Sequence, residues 1–233
     1  MKAILIPVKE FREAKKRLAP HFSSADRAAL AEAMCKDLFE VVAATRRVER
    51  VFVVSKELAA LSRARRLGWE VISETQQTSE SDSVDAASQY CAAQGISALL
   101  RLPIDLPLAE PRDIEAIFEQ FRVAPAVVLV PSRDGTGTNA LLRSPPGLFA
   151  SHFGSNSFAL HLAEAERCGA GIFVFRNARL EMDVDELEDL RGVSMRLRPG
   201  SATARWLAEH GEGRSANQAA AADSTEGRGS AGR

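Results

Sequence analysis

The sequence predicts an α/β fold: one domain in which a mostly parallel sheet lies between two layers of helices. Three observations point there. Short apolar runs alternate with segments of helical periodicity from Lys2 to about Arg191, the pattern that builds βαβ units. The 233 residues, 45% of them hydrophobic, are enough for one sizeable core. No Gly- or Pro-rich linker divides the first 200 positions, so two small domains are disfavoured.

Lys2 to Val8 is an apolar run suited to a central buried strand. The polar, basic segment KEFREAKKRLAP follows as a loop. Ser23 opens a helix, with Asp26 completing a capping-box pattern and Leu30, Met34, Leu38 and Val41 forming its buried stripe. Arg50 to Ser55 is the second strand, and a helix then runs to a stop at Gly68. Trp69 to Ser73 is the third strand, 74–82 a polar loop, and Ser83 to Gln94 a helix ending at Gly95. Ile96 to Leu102 is a strand running into PIDLP. Pro111 to Phe121 is a helix with Pro in its first turn. Ala126 to Pro131 is a strand, RDGTGTN a tight turn, and ALLRSPP extended. Ser157 to Cys168 is a helix, Gly171 to Arg176 a strand, and Asp185 to Arg191 a helix. Arg205 to His210 closes a domain spanning residues 1–210. Residues 211–233 are rich in Gly, Ala, Ser and Arg and are predicted to be a disordered tail.

Composition removes several functions. A net charge of −1 gives no global field for nucleic acid or a membrane surface. The N-terminal apolar run is too short for a signal sequence or a membrane span, so the cytoplasm is the expected compartment. Cys35, Cys91 and Cys168 are far apart and odd in number, which argues against a disulfide framework or a structural zinc site. They read as buried thiols.

In parallel sheets ligands bind at the carboxyl ends of strands, so the loops after the first, fourth and fifth strands carry the candidates. The first holds Lys9, Arg12, Lys15, Lys16 and Arg17, cations suited to a polyphosphate. No P-loop and no GxGxxG motif occurs here. The second holds Asp105 between Pro103 and Pro107, a rigid carboxylate suited to a hard cation. Asp183 or Asp185 could add a second carboxylate. In RDGTGTN and in Phe153-Gly154-Ser155-Asn156-Ser157, glycines would let backbone amides approach an anion, and Ser157 would place a helix N-terminus beside it. His161, one turn after Ser157, reads as a satisfied structural histidine.

Together these segments resemble a known family. IPVKEFREAKKRL, AEAMCKDL, LPIDLPL, PSRDGTGTNALL, FGSNSFALH and MDVDELEDL fall in order over roughly residues 1–200. This is similar to the 2-phospho-L-lactate guanylyltransferases of deazaflavin-coenzyme F420 biosynthesis. The resemblance implies a Rossmann-like nucleotidyltransferase domain of GT-A type. It implies GMP transfer from GTP to 2-phospholactate, phosphoenolpyruvate or 3-phosphoglycerate, with release of pyrophosphate and use of Mg2+. It places Thr138, Gly154 and Ser157 at the acid. It places Lys9, Lys15, Arg17, Ser55 and Asp85 at the nucleotide, with Lys15, Arg17 and Asp105 in catalysis, and Asp105, Asp183 and Asp185 at the metal. A homodimer, and hand-over of a labile product to the next enzyme, are further expectations. Where family members commonly carry Gly-Leu-Asn, this chain has Ser83-Val84-Asp85. Its polar groups are expected to line the central pocket and to favour a hydroxyl-bearing acid such as 3-phosphoglycerate. The alternatives are a nucleotidyltransferase for a sugar phosphate or molybdopterin, and a non-catalytic nucleotide-binding module.

Overall fold

The computed structural model describes residues 1–76, 78–120 and 123–211. The expected tail, beyond Gly211, lies outside the described residues. The strands are β1 (Lys2–Val8), β2 (Arg50–Ser55), β3 (Glu70–Ser73), β4 (Ala98–Arg101), β5 (Ala126–Pro131), β6 (Thr138–Ser144) and β7 (Gly171–Val174). The helices are α1 (Ser24–Ala44), α2 (Leu58–Arg66), α3 (Glu80–Ala93), α4 (Pro111–Gln120), α5 (Ser157–Arg167), α6 (Leu187–Ser194) and α7 (Ala202–His210). The strands form one sheet in the order β3-β2-β1-β4-β6-β5-β7. Among the described residues only β6 runs antiparallel to its neighbours, β4 and β5.

That reversal positions the site. Because β6 runs backwards, its first residue, Thr138, lies at the sheet edge where β4 and β5 end. Thr138 pairs with Pro131 at the end of β5, and Arg101 at the end of β4 pairs with Leu141. Helices α1, α2 and α4 cover one face through a core that includes Leu38, Phe39, Leu61 and Phe118. Helix α3 covers the other face through Val84, Ala87 and Cys91, and α5 does so through Ala165.

Helix α1 begins at the expected capping box: Ser23 Oγ accepts from Asp26 N–H, and the Asp26 carboxylate accepts from Ser23 N–H. Its buried residues form two faces rather than one stripe. Ala31, Cys35, Leu38 and Phe39 pack on the sheet, whereas Leu30, Ala33 and Met34 pack beneath α6 and α7. Val41 is only half-buried. The outer face is covered because α7 returns to it. Asp37 accepts from the Ala202 and Thr203 amides at 2.7 and 2.8 Å, and Trp206 Nε1 donates to Asp26 C=O. Two aligned amides at a helix start make a favourable seat for a carboxylate.

Helix α3 starts at Glu80, three residues before the sequence suggests. Ser79 Oγ accepts from Asp82 N–H, and Glu80 and Asp82 lie in the first turn, so the polar run 79–82 is a helix start rather than loop. Helix α6 is capped by Glu186, with Asp189 reciprocating, and begins two residues after Asp185. Cys35 and Cys91 are buried, and burial pushes both thiols up to about 12. Cys168 is half-buried at the end of α5. Among the described residues no helix is long and apolar enough to cross a membrane.

Candidate active site

A cleft of about 530 Å3 opens at the carboxyl ends of β1 and β4. Lys9, Lys15, Arg17, Asp105 and Asp185, all expected at the site, line it, together with Glu80, Ser83 and Arg101. Lys15 holds its centre. The residue adopts a left-handed backbone, φ 54°, at the start of a short 3-10 turn, Lys16–Leu18. Leu18 is fully buried beneath this turn and fixes it from below. Lys15 Nζ donates to Asp105 Oδ2 at 2.9 Å and to Asp185 Oδ1 at 3.1 Å, and its side chain is 6% exposed. Burial opposes the charge on this ammonium, but the two carboxylates outweigh it and hold its pKa above the ordinary value. Burial likewise pushes Asp105 up, and Lys15 more than reverses this, so Asp105 is held below the usual carboxylate range.

The acidic segments meet through the backbone. Val184 N–H donates to Asp105 C=O at 3.1 Å, and the Val184 side chain is fully buried beneath. Asp183 and Asp185 therefore flank the contact that fixes Asp105. Asn139, next to Thr138, donates from Nδ2 to Asp183 Oδ1 at 3.1 Å and to Leu180 C=O at 3.0 Å. Burial and the Asp105 charge push Asp183 up to about 6. Asp189 accepts the Asp185 and Glu186 amides and meets Arg133 at 3.5 Å.

Among the described residues no three acidic, thiol or imidazole side chains are arranged to hold an ion unaided. The donor chemistry nonetheless fits a hard divalent cation. Mg2+ is usually bound by one or two carboxylates together with substrate phosphates. The raised pKa of Asp183 beside Asp105 marks negative charge that a cation would neutralise.

The second half of the site is built from β6 and α5. Phe158 N–H donates to Thr136 C=O at 3.1 Å, which brings the two Gly-bearing segments together. Thr138 and Ser157 are buried, whereas Gly154 is exposed with φ 123°, a conformation that favours glycine. His161 is fully buried between them. Burial, aided by the Arg143 charge, pushes it down to about 3, so its ring is neutral. Its Nε2 accepts from His152 N–H at 2.8 Å. The ring proton is then on Nδ1, which lies 3.0 Å from Thr138 Oγ1 and donates to it. The Thr138 hydroxyl proton is left to be donated elsewhere.

Four expectations are corrected. The RDGTGTN turn does not offer its amides to an anion. Gly135 N–H bonds Ser132 C=O, Thr136 N–H bonds Asp134, and Gly137 N–H bonds Ser132 Oγ at 2.7 Å. A Cβ on Gly137 would meet that same Ser132 Oγ at 2.9 Å, so the glycine serves a close turn. Ser157 begins α5 as expected, with Asn156 as its cap. Ser55, expected at the nucleotide, is fully buried. Its hydroxyl donates to Val8 C=O and accepts from Glu57 N–H, tying β1 to β2. Asp85, also expected at the nucleotide, accepts from the Ser151 amide and hydroxyl and meets Arg143 at 3.3 Å, so it anchors the loop after β6. Of Ser83-Val84-Asp85 only Ser83 lines the cleft, because Val84 points into the core of α3.

Sequence reasoning missed Arg101, Glu80 and Asn139. Arg101 was legible as a lone charge inside the apolar run ALLRLP, since buried arginines need a partner. Asn139 carries no such signal.

The fold is that of the nucleotidyltransferases. The chain superposes on a structure from Desulfovibrio desulfuricans G20 described as a "putative nucleotide-diphospho-sugar transferase", with TM-score 0.72, 16% identity, and 90% of this chain and 94% of that one covered. It also superposes on a cytidylyltransferase from Leptospira borgpetersenii, with TM-score 0.54, 14% identity, and 100% and 98% covered. Within this class the chain belongs to the family described as "Guanylyl transferase CofC like", which it matches over residues 1–211. It is 37% identical to the phosphoenolpyruvate guanylyltransferase of Rubrobacter xylanophilus, over 80% of this chain and 90% of that protein. It is 32% identical to the 2-phospho-L-lactate guanylyltransferase of Methanothermobacter thermautotrophicus, over 80% and 81%. The protein is an enzyme, a nucleotidyltransferase.

Proposed function

We propose that the protein transfers GMP from GTP to a small phosphorylated carboxylic acid, releasing pyrophosphate, as a step in making the deazaflavin coenzyme F420. The acids considered are phosphoenolpyruvate, 2-phospholactate and 3-phosphoglycerate. The observation that carries this reading is the junction at Lys15. This buried cation joins Asp105 to Asp185 at the floor of a polar cleft, and Asn139, next to Thr138, donates to Asp183, two positions before Asp185. A nucleotide site and a small-anion site therefore share one wall.

The chemistry needs little from the protein beyond placement. A phosphate oxygen of the acid, already anionic, attacks the α-phosphorus of GTP in line. The bond from the α-phosphorus to the α,β-bridging oxygen breaks, and pyrophosphate leaves with that oxygen. No general base is required, so catalysis is positioning and charge neutralisation. Asp105, Asp183 and Asp185 would hold Mg2+, which supplies charge neutralisation on the phosphates when bound. Lys15 orients Asp105 and Asp185. Lys9 and Arg17 extend the positive wall toward the triphosphate. Thr138 offers its hydroxyl proton to the acid, and Ser157 and Gly154 close that end.

Pyrophosphate release, measured with four nucleoside triphosphates crossed against the three acids, tests the proposal. GTP with one of the acids should dominate. Release from GTP without any acid, or equal use of all four nucleotides, would overturn it.

A further inference from the structure

Arg101 stands between the two halves of the site and belongs to neither set of expected residues. It is the last residue of β4, is 6% exposed, and lines the cleft. One Nη donates to the Thr138 and Asn139 carbonyls, at 3.4 and 3.2 Å, and the other meets the Glu80 carboxylate. The guanidinium lies over the Phe153 ring, 4.1 Å from its centre. Its Nε is buried and has no hydrogen-bond partner. Its charge is felt on both sides, lowering Asp105 and opposing a proton on His161. A buried cation so tightly oriented, with one donor left over, is a prepared anion seat.

We propose that Arg101 anchors the carboxylate of the phosphorylated acid, and that Glu80 fills this seat when the acid is absent. This rests on the function proposed above. Glu80 shows what the seat accepts, since one of its carboxylate oxygens meets one Nη of the guanidinium while Nε is left unpaired. Its other oxygen lies 3.6 Å from Lys9 Nζ, on an exposed side chain. Lys9 can therefore hold Glu80 once the substrate carboxylate displaces it. The three acids share a carboxylate close to a phosphate. Arg101 and Asp105 line the same cleft, so a carboxylate on Arg101 leaves the phosphate of the same molecule within the cleft. Arg101 thereby selects against phosphate esters that lack a carboxylate.

The test compares Arg101→Gln, Arg101→Lys and Glu80→Gln with the parent, measuring KM for acid and for GTP separately from kcat. Losing a charge-assisted fork should raise the acid KM of Arg101→Gln about 20-fold or more and leave the GTP KM within about 2-fold. Arg101→Lys should fall between, because a point charge cannot reproduce the fork. Glu80→Gln should lower the acid KM about 2- to 5-fold, since a competing anion is gone. Opposite directions for the two partners mark substrate anchoring; a merely structural ion pair would suffer from either loss. An unchanged acid KM in Arg101→Gln, or a raised one in Glu80→Gln, would overturn the proposal while leaving the parent's reaction standing. If Arg101→Gln does not fold, the other two variants decide. Release of pyrophosphate by the parent with none of the acids would overturn both readings.

Discussion

The two halves of the site are made differently. The half around Lys15 is a meeting of full charges from distant parts of the chain. Lys15 and Asp105 are 90 positions apart, and Lys15 and Asp185 are 170. The half around Thr138 is local, 23 positions from Thr138 to His161, and buried, and its central ring is neutral. Interactions in the first half are electrostatic, so they depend on charge and on the cation that shares them. Those in the second depend on where single protons sit. The first suits a polyphosphate that arrives with metal; the second suits a small ligand read by hydrogen bonds.

If that contrast holds, a change of charge in the first half should do the most damage. In Asp105→Asn, transfer should fall by about 10^3-fold at limiting Mg2+. The far-UV spectrum should be unchanged, because the backbone bond from Val184 to Asp105 does not need the side chain. Near-normal turnover in the folded variant would remove Asp105 from the metal.

Thr138→Ala and Ser157→Ala should act on the acid instead. Their acid KM should rise about 10-fold, with the GTP KM unchanged, and Thr138→Ser should recover most of the loss because it keeps the hydroxyl. A selective loss of GTP binding would reverse the assignment of the two halves.

The neutral ring makes the second half acid-sensitive. His161 has a folded pKa of about 3, against 6.5 ordinarily. Between those values the unfolded chain binds a proton that the folded chain refuses, so stability falls as pH drops below 6.5. The slope approaches ~1.4 kcal/mol per pH unit. Urea unfolding of the parent and of His161→Gln between pH 6.5 and 4.5 should show a shallower loss in the variant. Parallel curves would mean that the ring is not held neutral.

The smallest effect is expected at Ser83-Val84-Asp85. Ser83→Gly should change the ranking of the three acids by about 2- to 3-fold, since it removes one hydroxyl from the lining of the cleft. Asp85→Asn should lower the melting temperature and leave the ranking alone, since Asp85 holds Ser151. A changed ranking in Asp85→Asn would place it at the substrate.

Much of this was legible in the sequence where the signal is local. Six of the seven strands follow from apolar runs, β6 being legible only as an extended segment, and the start of α1 follows from Ser23 and Asp26, because short-range hydrogen bonds and burial act on neighbouring residues. The carboxylates of PIDLP and MDVDELEDL, and the basic loop after β1, were recognisable by type and by their position at strand ends. Roles that depend on what a side chain touches were not legible. Ser55 and Asp85 have suitable chemistry for a nucleotide site, but β1 and Ser151 use it up. Nor does a sequence say that α1 is buried on two faces, since that needs α7 to fold back onto it.

The sequence by itself determined the alternation of elements, the residue types at the strand ends and the family they resemble. Tertiary structure alone decided that β6 runs backwards, bringing Thr138 to the same edge as Asp105. It also decided that Lys15 spends its charge on two aspartates, and that Arg101 lies between the halves with a donor to spare. The reason is physical: propensity and periodicity act over a few residues, whereas a buried charge takes whichever partner the closed fold brings within reach.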